Sequence, residues 1–260
     1  MPNSQRVAII TGVSKGIGKA IAESFATHGI NLVGASRNEE KMAELFENIR
    51  TEHKIDCLAV STDVSKDERV NNMLVKVLEK FGRIDILVNC AGIGAFDHII
   101  DSKLEDWEKL LDINLKGVYL CSKTVLPQMM RQKNGTIINI ASVCGLRGYS
   151  KCGAYCASKF GVVGFTEVLH HELRPYNIKV FAVCPDIVDT TFANNINATL
   201  TDKSNMLKPQ DVAQCVSRLI ESDARSQICE IRLKPLNVFQ RFFWSENKPR
   251  HVITETIKCL

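Results

Sequence analysis

Residues 7–18 read VAIITGVSKGIG. Val7–Thr11 is a run of apolar and β-branched side chains without polar alternation; it breaks at Gly12, before a helical pattern that lasts to about His28. A strand of that kind is buried on both faces, and a glycine-punctuated turn into a helix is the first half of a β–α unit. Gly12, Gly16 and Gly18 allow a backbone to approach a pyrophosphate, whose charge a helix N-terminus attracts. The spacing is G-x-x-x-G-x-G, so the G-x-G-x-x-G fingerprint is not met as written. Glycines needed only for a tight turn would leave the same trace.

The same rhythm continues downstream. Further strands are expected at Asn31–Ala35, Cys57–Val60, Ile84–Asn89, Thr136–Ala141, Lys179–Cys184 and Ile228–Leu233. Helices are expected at Glu39–Thr51, Lys66–Phe81, 103–132, 152–172 and Pro209–Glu221. Repeated β–α units with apolar strands predict one α/β domain, a doubly wound parallel sheet with helices on both faces. The pattern gives one domain over residues 1–235 and a tail over 236–260 that carries Phe239, Phe242, Phe243 and Trp244. That tail would pack on a partner subunit or on its own domain, with a short amphipathic membrane contact as the alternative. Residues 186–207, rich in Asn and Thr, form the longest unpatterned connection, the kind that serves as a lid.

Composition excludes several classes. The chain has 260 residues, 45% of them hydrophobic and 24% charged, with a net charge of +4 spread along its length. Nothing clusters into the basic face that a nucleic-acid partner requires. No apolar run nears the ~20 residues of a membrane span. The ten cysteines lack C-x-x-C spacing, and thiols in a reducing cytoplasm account for them better than a disulfide framework. A cytoplasmic protein without a metal site is expected.

The stretch 142–159, SVCGLRGYSKCGAYCASK, carries the candidate chemistry. On a helix over 152–172, Tyr155 and Lys159 share one face a turn apart. A free phenol titrates near about 10, and a fixed cation beside it favours the phenolate. Ser142 lies 13 residues before Tyr155 at an expected strand end, from which a loop would fold its hydroxyl back. A Ser holding a carbonyl oxygen and a Tyr exchanging its proton suit carbonyl/alcohol redox chemistry. Arg37 follows the second strand 19 residues past Gly18, where an NAD site would carry an acid; residues 33–37, VGASR, hold none. With Lys15 it would clamp a 2′-phosphate, or the two are solvated surface cations. Asp63-Val64 and Asn89-Cys90-Ala91-Gly92 stand at strand carboxyl ends, although Asp63 alone would also read as a helix cap. Asn114 interrupts the long helix, where Asn usually has a specific partner.

In this order TGVSKGIG, NCAG, Asn114, Ser142 and Tyr155-x-x-x-Lys159 resemble the short-chain dehydrogenase/reductase family, over about residues 5–233. The resemblance implies a Rossmann-type sheet of seven strands with NADP(H) along its carboxyl ends. It implies Tyr155 as general acid/base and Lys159 as the group that holds the nicotinamide ribose and lowers the tyrosine pKa. Ser142 would bind the substrate oxygen and Asn114 a proton-relay water. Gly12, Ser14, Lys15, Gly16, Ile17 and Gly18 would cradle the cofactor, with Asp63 and Val64 at the adenine. Asn89, Ala91 and Gly92 would meet the adenosine ribose, and Ile187 and Thr190 the carboxamide, with Pro185 also in the cofactor site. Lys15 with Arg37 matches the NADP-preferring branch. The partner implied is a small carbonyl or alcohol, a small ketone or 3-oxoacyl compound first, with pterins, steroids or retinoids as alternatives. A homodimer or homotetramer is expected. Two departures stand out: Cys90 where Asn is usual, and Asp186 where Gly is usual, which puts a carboxylate near the nicotinamide and leaves that turn open to rearrangement. A cofactor-binding scaffold without turnover is the rival class, and the intact Ser142, Tyr155 and Lys159 set speaks against it.

Overall fold

The computed structural model describes residues 5–192, 206–222 and 228–236. Its strands are β1 (Val7–Thr11), β2 (Asn31–Ser36), β3 (Cys57–Ser61), β4 (Ile86–Asn89), β5 (Gly135–Ile140), β6 (Ile178–Pro185) and β7 (Glu230–Leu233). They form one parallel seven-stranded sheet in the order β3-β2-β1-β4-β5-β6-β7. The helices are α1 (Gly16–Thr27), α2 (Glu39–His53), α3 (Asp67–Phe81), α4 (Leu104–Leu111), α5 (Gly117–Gln132), α6 (Gly153–Leu173) and α7 (Pro209–Ile220). After β3 the chain crosses back past β1 to begin β4, so the strand order reverses at the β1–β4 pair. Open α/β sheets bind ligands in the crevice outside the strand carboxyl ends at such a reversal.

The unalternating strands follow from the two cores they separate. Ala8 and Ile10 pack with Ile21 and Phe25 of α1 and Val212 and Val216 of α7. Val7 and Ile9, facing the other way, pack with Val70, Met73 and Val77 of α3 and with Val125 and Met129 of α5. Both faces of the sheet are therefore covered, and a polar residue in β1 would have no solvent to face.

Three elements differ from expectation. β4 starts at Ile86 rather than Ile84, because Asp85 is buried there and its carboxylate accepts from the Val7 N–H at 2.8 Å and from Arg83 at 2.9 and 2.8 Å. β7 starts at Glu230, two residues late. The expected helix 103–132 is split by a π-helical turn, Asp112–Lys116, between α4 and α5. Such wide turns concentrate at functional sites, and this one holds Asn114. The aromatic tail from residue 237 onward and residues 193–205 of the expected lid lie outside the described residues. No described helix is long and apolar enough to cross a membrane.

Candidate active site

A cleft of about 390 Å³ runs along the carboxyl ends of the strands. At one end it is walled by backbone. Gly12 has φ +69°, and a Cβ there would come 2.8 Å from Ala91 Cα; at Gly18 one would come 2.5 Å from the Gly12 carbonyl oxygen. Only glycine permits those approaches. Thr11 Oγ1 accepts from the N–H groups of Cys90 (2.9 Å) and Ala91 (3.0 Å), tying the ends of β1 and β4 together. α1 opens on this cleft without a side-chain cap at Lys15 and without an acid in its first turn. Its first N–H groups and the positive end of its dipole are left for an anion.

Ser36 Oγ donates to Ser14 Oγ at 3.1 Å, and Arg37 follows at the end of β2. Asp63 is anchored by the Ser65 N–H (3.0 Å) and hydroxyl (2.7 Å). Burial works to raise its pKa, but those two bonds and the charge of Arg37 outweigh it and hold the carboxyl below its ordinary value. This region joins an uncapped helix end, a glycine cradle that no Cβ could enter, two cations and an anchored carboxylate. A phosphorylated dinucleotide fits that set.

The other end is built from side chains. β5 delivers Ser142 just past its last residue, and α6 carries Tyr155 and Lys159 on its first two turns. Tyr155 and Ser142 line the cleft together, and the Ser142 hydroxyl works to lower the phenol pKa. Ser142 Oγ also accepts from the Cys144 N–H at 3.2 Å and lies 3.5 Å from the Pro185 carbonyl. Lys159 Nζ donates to the Ile140 carbonyl at 2.8 Å and stands 5.7 Å from the Tyr155 ring centroid. Burial lowers the Lys159 ammonium to about 8. Burial also pushes the Tyr155 phenol up, beyond what the Ser142 hydroxyl offsets. Desolvation is the largest influence on the phenol, and Lys159 is committed to a backbone carbonyl. A neutral phenol results.

Every residue expected in the site lines this cleft except Asn89 and Asn114. Asn89 turns into the core, where Nδ2 donates to Asn139 Oδ1 (2.8 Å) and Ser122 Oγ (3.1 Å). Its side chain is thus a brace between β4, β5 and α5 and not a cleft contact. Asn114 is fully buried; its Oδ1 accepts from the Ile93 N–H and its Nδ2 donates to the Ile93 carbonyl, both at 2.9 Å. That two-point grip fixes the loop after β4 beside Gly92, where a Cβ would come 3.3 Å from Asn114 Oδ1. Asp186 stays out of the left-handed region, and its N–H donates to the Leu233 carbonyl at 2.8 Å. Its carboxylate accepts from the Ile187 N–H at 3.0 Å.

Around Tyr155 the cleft is aromatic. Phe96 and Phe192 each stand 5.6 Å from its ring, and 6.1 Å from one another. Tyr149 and Cys144, from the loop after Ser142, complete this wall. Arg147 stacks on Tyr149 at 4.9 Å and does not line the cleft. Among the described residues no cluster of His, Cys, Asp or Glu is arranged to hold a metal ion.

The model of the family described as short chain dehydrogenase matches residues 6–201. The chain belongs to that family. An uncharacterized oxidoreductase of Staphylococcus saprophyticus is 34% identical over 231 residues, covering 89% of this chain and 97% of the relative. A 3-oxoacyl-acyl-carrier-protein reductase of Synechocystis is 39% identical over 198 residues, covering 74% and 78%. Among solved structures, a variant of actinorhodin polyketide ketoreductase with NADPH aligns with a TM-score of 0.82 at 30% identity, covering 89% of this chain and 96% of that one. This short-chain dehydrogenase is accordingly an oxidoreductase on a Rossmann-type scaffold.

Proposed function

We propose that the protein is an NADP(H)-dependent oxidoreductase that interconverts a carbonyl compound and a secondary alcohol, with a small ketone or 3-oxoacyl compound as the first substrate class. The observation that carries the cofactor preference is the end of β2, where Ser36-Arg37 replaces a ribose-binding acid and Lys15 faces the same cleft. NADPH in a related ketoreductase structure supports the same reading. When bound, the nicotinamide supplies or accepts the hydride. The first turn of α1 would hold the pyrophosphate, Arg37 and Lys15 the 2′-phosphate, and Asp63 the adenine.

At the reacting end, Ser142 would hold the substrate oxygen beside Tyr155. A phenol that burial keeps protonated is the form that gives its proton to an oxygen becoming an alkoxide, which suits reduction. Lys159, buried against β5, would orient the ribose and stabilise the phenolate left behind. The aromatic wall of Phe96, Phe192 and Tyr149 excludes water and favours an apolar body on the substrate.

Fluorescence titration with NADPH and NADH, alongside ketone turnover, tests this. Arg37→Ala should weaken NADPH binding about tenfold, the loss of one charge-assisted contact, and leave NADH binding unchanged. Tyr155→Phe should keep NADPH binding and lower turnover by about 10²–10⁴-fold, the usual share of a positioned acid. Equal binding of the two cofactors would remove the NADP preference. Undiminished turnover in Tyr155→Phe would remove the general acid.

A further inference from the structure

Three thiols meet beside Tyr155, and nothing in the reaction above uses them. Cys152 is the residue from which α6 starts and Cys156 lies in its first turn. Cys144 comes from a separate element, the short 3₁₀ turn Val143–Gly145 that follows Ser142. All three belong to one buried cluster with Tyr155, against which Phe96 and Phe192 pack. The side chains of Cys144, Cys152 and Cys156 thus share one desolvated pocket. Cys144 also lines the cleft.

We propose that Cys144 and Cys156 form an oxidation site in the wall of the cleft, where a peroxide joins them by a disulfide. Geometry selects this pair. Cys144 and Cys156 keep 7% and 8% of their surface exposed, whereas Cys152 is closed off at 0%. Cys152 and Cys156 are also held one turn apart by a backbone bond, the Cys156 N–H to the Cys152 carbonyl at 2.7 Å. Side chains at that spacing stand about 5–6 Å apart at Cβ, against the roughly 3.5–4.5 Å a disulfide needs. Cys144 stands on a separate turn and is not bound to that spacing.

Electrostatics select the attacking sulfur. Cys156 sits at the positive end of α6 beside the other two thiols, and these neighbours together with the Tyr149 backbone draw its pKa down. As a thiol it donates weakly, at 3.9 Å, to the Arg147 carbonyl. The Cys144 thiol is pushed up by the neighbouring Cys152 and Cys156 and by burial, and so remains protonated. The Cys156 thiolate attacks one oxygen of hydrogen peroxide, breaking the O–O bond to give a sulfenic acid and hydroxide. Cys144 then attacks that sulfur; its proton leaves with the sulfenic oxygen as water, and the S–S bond forms. Two thiols are oxidised and one peroxide is reduced. Because the Cys144 N–H donates to Ser142 Oγ, drawing Cys144 toward α6 displaces the hydroxyl beside Tyr155. The α1 end of the cleft is untouched.

The test is peptide mapping of the full chain after treatment with equimolar hydrogen peroxide and alkylation of remaining thiols. Trypsin, cutting after Arg147 and Lys151, places Cys144 on one peptide and Cys152 with Cys156 on another, and fragmentation assigns the bonded sulfur. The expected product is a Cys144–Cys156 cross-link that dithiothreitol reverses, with two thiols lost per chain and Cys57 and Cys121 of the core unmodified. Cys156→Ala should slow peroxide consumption at least tenfold, and Cys152→Ala should leave the cross-link in place. The wild-type map decides the matter even where a variant folds poorly. A bond through Cys152, oxidation confined to exposed Cys229, or no loss of thiols overturns the proposal.

Discussion

The two ends of the cleft are built on different principles. At the α1 end the wall is main chain, brought to within contact distance by Gly12 and Gly18, and its charges are helix dipole and exposed Arg37 and Lys15. At the Tyr155 end the wall is side chain, desolvated, and its charges are moved from their ordinary pKa values by burial. The first end tolerates almost no added atom, because backbone meets backbone there. The second has some freedom in shape, yet its protonation states depend on what surrounds them. A rigid anion cradle and a tunable proton site thus share one cleft.

The sharpest way to break this contrast is to add a Cβ where main chain meets main chain. Gly18→Val would put its side chain 2.5 Å from the Gly12 carbonyl oxygen, with no flexible neighbour to yield. NADPH binding should fall about a hundredfold or more, about 3 kcal/mol by the tenfold-per-1.4 kcal/mol relation, as read by titration. A Gly18→Val protein that binds NADPH normally would show that the α1 end is not a close-packed cradle.

The Tyr155 end is probed by pH. The Lys159 pKa falls to about 8 in the folded chain from 10.5 in the unfolded one. Below 8 both states carry the proton and burying the ammonium costs stability. Between about 8 and 10.5 the unfolded state binds more protons, so stability rises with pH. Above about 10 the raised Tyr155 phenol acts in the opposite sense, since the folded state then holds the extra proton. From pH 8 to 9.5 the wild type should gain about 2 kcal/mol relative to Lys159→Met in urea denaturation. Parallel curves for the two proteins would show that burial does not shift Lys159.

Asp186 follows Pro185, whose carbonyl meets Ser142, and its effect should be the smallest. Its carboxylate occupies the Ile187 N–H, at a residue that the family resemblance assigns to the carboxamide. Asp186→Asn should weaken NADP⁺ binding a few-fold relative to NADPH, because a negative charge near a cationic ring favours the oxidised form. An unchanged ratio of the two dissociation constants would place the carboxylate too far from the ring to matter.

The same contrast explains what could be read from the sequence. Gly12, Gly16 and Gly18 announce the cradle because only one residue type fits there, and the missing acid at Arg37 is legible for the same reason. The strands were legible because β1 buries both faces and therefore cannot alternate. What escaped depends on contacts between distant segments. Asn89 looked like a cleft residue until Asn139 of the neighbouring strand was seen to take its amide. The π turn at Asp112–Lys116 follows from Asn114 gripping Ile93, 21 residues away, and helical periodicity alone does not disclose it. The neutral phenol at Tyr155 required the packing of Phe96 and Phe192, and the thiol cluster required the 3₁₀ turn to lie against α6.

The strand order also has a consequence for how the protein is made. Gly12, Arg37, Asp63 and Gly92 all lie in the first 92 residues, while the reacting wall is complete only at Phe192, 100 residues later. Chains emerge from a ribosome at roughly 5–20 residues per second and fold from the N-terminal side. For several seconds the growing polypeptide would contain the residues of a nucleotide cradle and none of the chemistry. A cofactor captured in that interval would act first as a template around which β5, β6 and α6 close, and only afterwards as a reactant.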